Sequence, residues 1–571
     1  MTTLQPPIEQ VWEIDRAVDD LVRGEAAWAA CGLAKRRELI ERVHAATAEQ
    51  AEAWVRAAAA YKRLPEGSPL LGEEWITGPY PVLTSAGTLA STIGALEAGR
   101  SPVDGFSVRP APGGRVAVRV LPHSVWDRLL LSGFSAEVWM RPGVTKRAVR
   151  SRAGLGQRRP TLTGGVGVVL GAGNITSIPV LDVLYELYAH NRVVALKLNP
   201  VTDGLFEVFS RVLAPLIDIG AVRILTGGAD VGRYLVHHPK VGHVHMTGSA
   251  ATHDAIVFGT GEEGAARKKA GTPLLDKPVT SELGGVSPTI VVPGAWSEAD
   301  LRYQAEHIAT QKLHNGGYNC VASQVVVVGS DWPQKDRFLA HVRRALSEAP
   351  ARPAYYPGSD GRVEGAVASY AGAERIGGGR VLIEGLDAAD PGPALTSEYF
   401  APVLAVLEIP GDAGTFLTEA VRAANERFAG TLGVNLIAHP RTIARLGSSL
   451  DDAIADLRYG TVALNAWTGV GYLTAAATWG AFPGHTLDDV QSGIGVVHNA
   501  LLLDAPERTV VRGPFRPAPR SVLHGELALS PKPPWFVDNR TAATTGRRLV
   551  DFAAAPRWSA LPGIFASALR G

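Results

Sequence analysis

The pattern of apolar and polar positions divides the chain into an N-terminal helical part, two series of strands and helices, and a tail. Residues 8–63 are predicted to be helical, because apolar positions such as Leu39 and Val43 fall on one stripe with charges opposite. Residues 107–120 contain two stretches that alternate as exposed strands do. The tail from residue 505 is rich in proline and arginine and shows little periodicity.

From residue 164 onward, short apolar runs alternate with amphipathic segments, and turns separate them. The predicted strands are 166–170, 192–197, 221–225 and 241–246, and the predicted helices are 179–189, 206–216 and 231–237. This repetition predicts a doubly wound parallel sheet. Ligands of such sheets bind beyond the carboxyl ends of the strands, where Asn174, Lys197, Thr226 and Ser249 lie.

A second series follows Gly285 and predicts a second α/β unit. Its strands are predicted at 288–292, 325–328, 381–384, 403–409, 431–438 and 461–465, and its helices at 298–313 and 334–349. The fold class is therefore α/β, with a doubly wound parallel sheet and a second α/β domain.

Composition narrows the function classes. The formal charge is +1, so the chain has no electrostatic footprint for nucleic acid or an anionic membrane. Residues 160–181 and 459–487 carry no charged side chain, but glycines, prolines and polar residues interrupt them, which predicts buried loops and strands and no membrane span. The acidic N-terminus lacks the basic and apolar regions of a secretion signal, so we expect a cytoplasmic protein.

Cys320 is the first candidate for chemistry, because residues 314–319 before it predict a glycine-rich turn between a helix and an apolar strand. Glycines let a backbone approach a substrate closely. Successive backbone N–H groups at such a turn hold an oxyanion and lower the pKa of a thiol. The alternative is a buried structural cysteine, which is our interpretation of Cys31, the other cysteine in the chain.

Three polar residues complete the candidate set. Glu282 ends an apolar stretch and could serve as a general base, although a solvated or capping glutamate is the alternative. Asn174 follows a glycine turn, and its amide could donate to an oxyanion, although turns commonly contain asparagine. Lys197 ends a strand and could bind a ribose or phosphate oxygen, although it could also face solvent.

Metal and standard nucleotide motifs are not supported. The four histidines at 237, 238, 243 and 245 have no cysteine or carboxylate at a matching spacing, so we predict no metal site. The chain has no GxxxxGK[ST] loop and no well-placed GxGxxG, so a standard ATP or dinucleotide fingerprint is not predicted.

Several short motifs occur in a fixed order along residues 171–495. They are Gly171–Asn174, Ala195–Lys197, Met246–Ser249, Glu282–Pro288, Asn315–Cys320, Ser397–Val403, and Phe482–Gly484 with Gln491–Gly495. In this order they resemble the aldehyde dehydrogenase superfamily. The N-terminal helical region fits that family loosely, and residues 100–160 and the tail match it poorly.

The resemblance implies NAD(P)-dependent oxidation of an aldehyde to a carboxylic acid. Cys320 would attack the carbonyl carbon, and Asn174 with the backbone N–H of Cys320 would hold the oxyanion. Hydride transfer would leave a thioester, and Glu282 would activate the water that hydrolyses it, or deprotonate the thiol beforehand. One alternative is a CoA-dependent acylating aldehyde dehydrogenase or acyl-CoA reductase. Another is a non-catalytic scaffold subunit with this fold.

The resemblance also implies the cofactor site. Lys197 would bind the adenosine ribose, Gly248 and Ser249 would lie near the pyrophosphate, and Glu398 and Phe400 would hold the nicotinamide ribose and ring. Family members often have an acidic residue three positions after this lysine, which excludes a 2′-phosphate. This chain has none there, so the expected cofactor is NAD(P), without a choice between the two.

Two departures leave the substrate class open. Ala172 stands where the family commonly has an aromatic residue. A small residue at this position is closer to the pattern of the acyl-CoA and fatty-acyl reductase branches. Tyr318 and Asn319 replace the residues that usually precede the cysteine. The substrate is expected to be a small-molecule aldehyde, and CoA is a partner only in the acylating alternative.

The predicted domains are N-terminal helices with the dinucleotide-binding domain at 1–282, the catalytic domain at 283–500, and a C-terminal arm at 501–571. Residues 100–160 are expected to include an oligomerisation hairpin. Family members usually pair through such a hairpin and arm, so we expect a homo-oligomer, either a dimer or a tetramer.

Overall fold

The computed structural model describes residues 6–387 and 389–571. Residues 1–5, with which the acidic N-terminus begins, lie outside this part. Among the described helices, none is both long enough and apolar enough to cross a membrane. The two stretches without charged side chains form short strands, helices and turns.

Four helices open the described chain. They are α1 (Ile8–Ala30), α2 (Leu33–Tyr61), α3 (Leu71–Thr77) and α4 (Pro79–Glu97). The single helical region predicted for 8–63 is two helices, because Cys31 is extended (φ −74°, ψ 108°) and ends α1. Next come β1 (Ser107–Ala111), β2 (Arg115–Leu121), α5 (Val125–Leu130), β3 (Ser135–Met140) and α6 (Lys146–Arg152).

The first α/β series builds a parallel sheet. Its elements are β4 (Val166–Leu170), α7 (Ile178–His190), β5 (Val193–Lys197), α8 (Phe206–Val212), α9 (Ala214–Ile217), β6 (Val222–Leu225), α10 (Ala229–His237), β7 (Val241–Gly248), α11 (Ala250–Val257), α12 (Gly261–Ala270) and β8 (Val279–Leu283). The strand order is β8-β7-β4-β5-β6, all parallel. The helix predicted for 206–216 is divided, and Pro215 lies in the first turn of the second piece.

The second series begins with β9 (Ser287–Val291), α13 (Glu298–Leu313), β10 (Ser323–Gly329), α14 (Lys335–Glu348), α15 (Ser359–Ser369), β11 (Ala373–Ile376), β12 (Arg380–Ile383) and β13 (Val403–Ile409). It continues with α16 (Ala413–Arg427), β14 (Gly433–Ile437), α17 (Pro440–Leu446), α18 (Ser448–Asp456), β15 (Thr461–Leu464), α19 (Gly469–Leu473) and β16 (Thr478–Gly480). The last elements are β17 (Gly493–Ile494), β18 (Val496–Asn499), β19 (Pro506–Arg512), α20 (Arg520–Leu523), α21 (Ala542–Ala554) and α22 (Leu561–Ala568).

These strands complete two large sheets, which confirms the predicted α/β fold class with its doubly wound parallel sheet. The larger sheet has the order β1-β2-β3-β19-β15-β14-β9-β10-β13-β12-β11. The short strand β17 returns to the first sheet and pairs antiparallel with β8, while β16 and β18 pair with each other. The chain passes from the first sheet to the second between Leu283 and Ser287, so the glycines of the Glu282 motif lie at this crossover.

Strand β19 lies in the region predicted as a C-terminal arm, where we expected little regular structure. It pairs with β15 on one side and β3 on the other, so it joins the antiparallel strands β1–β3 to the parallel part of the large sheet. Its periodicity is hard to recognise because two of its charged residues are buried. Glu507 forms an ion pair with Arg115, and Arg508 donates to the carbonyl of Ile454 at 2.8 Å.

Candidate active site

One cavity of about 900 Å³ is lined by strands and connections of the first sheet and by connecting segments of the second α/β series. All eight residues singled out from the sequence lie in its wall: Asn174, Lys197, Gly248, Ser249, Glu282, Cys320, Glu398 and Phe400. Lys197 ends β5, Gly248 ends β7 and Glu282 lies near the end of β8. The cavity therefore occupies the carboxyl edge of the parallel sheet, the usual ligand position in doubly wound folds.

The loop that leads to Cys320 needs its glycines. Asn315, Gly316 and Gly317 have φ values of 56°, 70° and 82°, a left-handed run that only glycine and asparagine adopt readily. A Cβ atom on Gly317 would lie 2.9 Å from the backbone of Ala401. The sequence Asn-Gly-Gly therefore turns the chain sharply from α13 and brings Cys320 to the cavity.

Asn315 is the centre of the hydrogen bonds that hold this loop. Its side-chain amide donates to the carbonyls of Tyr318, at 2.8 Å, and Asn174, at 3.2 Å. The Asn174 amide in turn donates to the Tyr318 carbonyl at 3.2 Å. Because an asparagine amide has two N–H donors, this bond leaves one Asn174 donor for a ligand.

Cys320 is 9% exposed and lies in an apolar cluster with Val321, Leu432, Trp479 and Val497. Burial raises the pKa of its thiol well above the ordinary value, and the nearby carboxylates of Glu282 and Glu398 add to the rise. Its own backbone N–H opposes only part of this effect. The thiol is therefore protonated at rest. The lowered pKa that the glycine turn led us to expect is wrong, because burial and two carboxylates outweigh the N–H dipole.

Glu282 is fully buried, and neither of its carboxylate oxygens has a hydrogen-bond partner among the described residues. Burial raises its pKa, while the neighbouring Cys320 thiol and His498 act in the opposite direction. A carboxyl group beside a thiol is placed to accept and release the proton of that thiol.

Glu398 lies over the crossover between the two sheets. A Cβ atom on Gly284 would lie 2.0 Å from its Oε1 atom, so glycine is required there to seat the carboxyl group. Burial raises the pKa of Glu398 to about 8, although Lys312 opposes the rise. Burial also lowers the pKa of Lys312 to about 7. The Glu398 Oε1 atom is buried without a partner among the described residues.

The other end of the cavity carries Lys197 and Ser249. Burial lowers the pKa of Lys197, and the charges of Asp203 and Asp230 oppose this effect. Ser249 caps α11, and its Oγ atom accepts from the backbone N–H of Thr252 at 3.2 Å. The N-terminus of α11 thus lies at the cavity, where backbone N–H groups and the helix dipole favour an anion.

Several cavity residues were missed by the sequence reasoning. Tyr356 and Arg362 line the wall, and Tyr356 packs against Phe400 with ring centroids 4.9 Å apart. Neither lies in a recognisable motif, so no local signal indicated them. Tyr472, in the stretch 459–487 that has no charged side chain, packs against the Cys320 cluster. Trp467 instead packs against His314, at 4.6 Å.

The four histidines considered for a metal site have separate surroundings. His237 lines the cavity, and His238 lies 3.4 Å from Asp15. His243 and His245 lie 3.3 Å from Glu186 and 3.5 Å from Asp182, respectively. Each of these last two therefore pairs with a carboxylate of α7.

Comparison with known proteins gives a consistent result. Residues 151–377 match the model of the aldehyde dehydrogenase family. A D-glyceraldehyde dehydrogenase (NADP(+)) of Thermoplasma acidophilum is 25% identical over 244 residues, 42% of this chain and 46% of that protein. The chain thus spans less than half of that relative. A 3,6-anhydro-alpha-L-galactose dehydrogenase of Streptomyces coelicolor is 27% identical over 479 residues, 79% of this chain and 80% of that protein.

Solved structures share the fold. An indole-3-acetaldehyde dehydrogenase of P. syringae, in complex with NAD+, superposes with a TM-score of 0.57 at 19% identity, over 87% of this chain and 88% of that one. An NADP-dependent glyceraldehyde-3-phosphate dehydrogenase of Bacillus halodurans, in complex with NADP, superposes with a TM-score of 0.57 at 18% identity, over 88% of this chain and 91% of that one. The family match and the ordered motifs around the cavity thus identify residues 151–377 with the aldehyde dehydrogenase family, and the solved structures show that the chain shares the fold of such enzymes.

Proposed function

We propose that this chain oxidises an aldehyde to a carboxylic acid with NAD(P)+, through a covalent bond to Cys320. One observation carries the proposal: a thiol, an amide and an unpartnered carboxyl group, on Cys320, Asn174 and Glu282, line the same cavity as Lys197 and Glu398. The first three residues provide a nucleophile, an oxyanion donor and a base. The other two lie where a dinucleotide would extend along the sheet edge.

The cavity suits a dinucleotide. Its volume of about 900 Å³ is in the range of small-molecule and cofactor sites. The unpartnered Oε1 atom of Glu398 is an acceptor for a ribose hydroxyl, Lys197 offers a cation, and the α11 N-terminus favours a pyrophosphate. When bound, NAD(P)+ supplies the hydride acceptor. The neighbours named above include proteins with either cofactor in their names, so both belong in the assay.

The chain's own residues carry the first half of the reaction. Because the Cys320 thiol is protonated at rest, Glu282 takes its proton as the sulfur attacks the carbonyl carbon. The S–C bond forms, and the carbonyl π electrons move to oxygen. The free N–H of the Asn174 amide and the backbone N–H of Cys320 then donate to that oxyanion. Loss of hydride from the same carbon leaves a thioester on Cys320.

Glu282 also acts in the second half of the reaction, the hydrolysis of the thioester. It removes a proton from a water molecule, and the resulting hydroxide attacks the thioester carbon. The C–S bond breaks, the carboxylic acid leaves and the sulfur returns as thiolate. Glu282 must lose the proton of the thiol before it can act on water, and the proton that it takes from water returns to the Cys320 thiolate at the end of the cycle.

The test is NAD(P)H fluorescence with short, long and aromatic aldehydes, with NAD+ or NADP+, and with or without CoA. We expect turnover without CoA, its loss in Cys320→Ala, and its retention in Cys31→Ala, which removes the cysteine distant from the cavity. A strict CoA requirement would replace hydrolysis by acyl transfer to a thiol. Unchanged turnover in Cys320→Ala, or no turnover with any aldehyde, would overturn the proposal in favour of other chemistry or a scaffold role.

A further inference from the structure

One buried side chain, that of Gln324, fastens the backbone on both sides of Glu398. Its amide donates to the carbonyls of Ser397 and Ala394, each at 2.8 Å. Its side-chain oxygen accepts from the backbone N–H of Tyr399, also at 2.8 Å. A glutamine side chain has two N–H donors and one oxygen, so every polar group of this residue is used on one short segment.

A shift in the sheet register aims Gln324 at this segment. Between Ser323 and Val325 the pairing of β10 with β9 shifts by one residue, so Gln324 is the extra residue of a β-bulge. An extra residue of this kind bends its strand and re-aims a side chain, and bulges recur beside active sites. Gln324 is 2% exposed and follows Cys320 by four positions.

The segment that it holds, residues 397–401, is a loop that we call the Glu398 loop. Glu398 and Phe400 line the cavity, whereas Tyr399 and Ala401 are buried outside its wall. Phe400 has a φ of 45°, a left-handed value that costs free energy in a residue with a bulky side chain. Such a conformation persists only where the surrounding structure enforces it, so this loop depends on contacts from other elements.

Two cationic side chains fasten the end of the loop. Lys312, in the last turn of α13, is buried and donates from Nζ to the carbonyl of Ala401 at 3.1 Å. Arg362 of α15 donates to the carbonyl of Phe400 at 3.3 Å. Both carbonyls follow Glu398 in the chain. Of the three side chains that hold the loop, the glutamine of β10 is therefore the one that bonds both neighbours of Glu398.

We propose that Gln324 is a positioning residue, which holds Glu398 and Phe400 where they bind NAD(P)+ beside Cys320. The inference rests on the proposed function, in which Glu398 accepts from a ribose hydroxyl of that cofactor. Because Gln324 follows the nucleophile by four positions, one short stretch of chain fixes the thiol and the cofactor-binding carboxyl group relative to each other. The reaction needs this fixed relation, since a misplacement of about 1 Å lowers rates by as much as about 10²-fold.

Gln324→Met tests the assignment, because methionine has a similar length but no N–H donor. The substitution leaves the carbonyls of Ser397 and Ala394 without this partner. We expect the Kd for NADH and for NADPH, measured by direct fluorescence titration, to rise by about 10-fold, equal to about 1.4 kcal/mol. The KM for NAD(P)+ should rise in parallel, whereas the KM for the aldehyde should change little. The titration needs no turnover, so it reports on cofactor binding separately from the chemistry.

Gln324→Glu separates the hydrogen bonds from packing alone. The carboxyl group keeps an acceptor for the Tyr399 N–H, but it donates to a carbonyl only when it is protonated. Burial raises the pKa of such a group, so the ratio of its Kd to that of the unsubstituted protein should be larger at about pH 8 than at about pH 6. In Gln324→Met this ratio should be the same at both pH values. If Gln324→Met does not fold, a ratio for Gln324→Glu that is independent of pH would overturn the proposal.

The matched control is Gln304→Met. Gln304 is also buried, and its amide donates to the carbonyl of Phe515 at 2.6 Å, but it lies outside the cavity wall. This variant should lower the free energy of unfolding and leave both Kd values unchanged. Unchanged cofactor affinity in Gln324→Met, or an equal loss of affinity in Gln304→Met, would overturn the positioning role. An unsubstituted protein that binds neither NADH nor NADPH would overturn the proposed function, and this assignment with it.

Discussion

The backbone N–H of Asn315 donates a hydrogen bond to Oε2 of Glu73, 3.0 Å away, and so joins the cysteine loop to helix α3. Glu73 is one of two adjacent buried carboxyl groups. Arg352 forms ion pairs with both carboxyl groups, that with Glu74 at 3.0 Å. It also donates a hydrogen bond to the side-chain oxygen of Asn315 at 3.1 Å. Lys62 completes the cluster, 2.8 Å from Glu74. The loop that carries the nucleophile is therefore supported by buried charges from the N-terminal helices.

Arg352→Met tests this support. The substitution leaves two buried carboxyl groups with only Lys62 to compensate them, so we expect the free energy of unfolding to fall by about 3–5 kcal/mol. Urea unfolding measures this change, and kcat should fall as well. Arg344→Met is the control, because Arg344 forms a solvent-exposed pair with Glu348 at 2.8 Å. Its removal should change stability by less than about 1 kcal/mol. Equal effects of the two variants would contradict the assigned role.

Gly317→Ala should disable the site by displacing Cys320. Alanine would be strained at φ 82°, and its Cβ would meet the Ala401 backbone at 2.9 Å. Gly379→Ala is the matched control, because Gly379 has φ 75° but open space around it, and should lose only about 1–2 kcal/mol. We expect activity to fall by at least about 10²-fold in the first variant, as misplaced reacting groups do. Similar activity in both variants would show that the close contact is unimportant.

Cofactor binding should depend on pH through Glu398. Its pKa is raised to about 8, so the group is mostly protonated at pH 7 and ionises as pH rises through 8. The ionised carboxylate is the stronger acceptor for ribose hydroxyls, so the KM for NAD(P)+ should fall between pH 7 and 9. Glu398→Gln cannot ionise and should lose this dependence. A KM that follows the same pH profile in both proteins would refute the assignment.

Arg233 is expected to bias the choice of cofactor. Arg233, Arg267 and Glu263 line the cavity, but Arg267 pairs with Glu263 at 3.3 Å, which leaves Arg233 as the better partner for a 2′-phosphate. Arg233→Ala should therefore raise the KM for NADP+ by about 10-fold, equal to about 1.4 kcal/mol, and change that for NAD+ little. Initial rates with the two cofactors measure this difference. An equal rise in the KM values for NAD+ and NADP+ would exclude a contact between Arg233 and the 2′-phosphate.

The homo-oligomer expected from the sequence remains a prediction. Four apolar side chains of the C-terminal region are largely exposed: Val522 at 57%, Leu523 at 81%, Leu527 at 90% and Leu529 at 72%. Such a patch favours burial against a second copy. Leu527→Asp should shift the mass measured by light scattering at micromolar concentration to that of a monomer, while Leu162→Asp, at an isolated exposed leucine, should not. A monomeric unsubstituted protein would refute the prediction.

Much of the fold was readable from local patterns. The four strands β4–β7 of the first sheet and helix α13 lie where the periodicity predicts them, because a buried parallel strand needs a continuous apolar run. Strand β19 was not predicted, because Glu507 and Arg508 are buried through partners that lie far away in the chain. The periodic pattern of apolar residues in a sequence indicates burial only when the buried residues are themselves apolar.

The chemical candidates were likewise determined by the sequence, whereas their properties were decided by the tertiary structure. The motifs identified Cys320, Glu282 and Asn174, because glycine turns and strand ends are local features. The raised pKa of the thiol, the bonds of Gln324 on both sides of Glu398 and the support of Asn315 by Glu73 all depend on residues far apart in the chain. Burial and charge act through space, so they exist only once the sheets have brought these groups together.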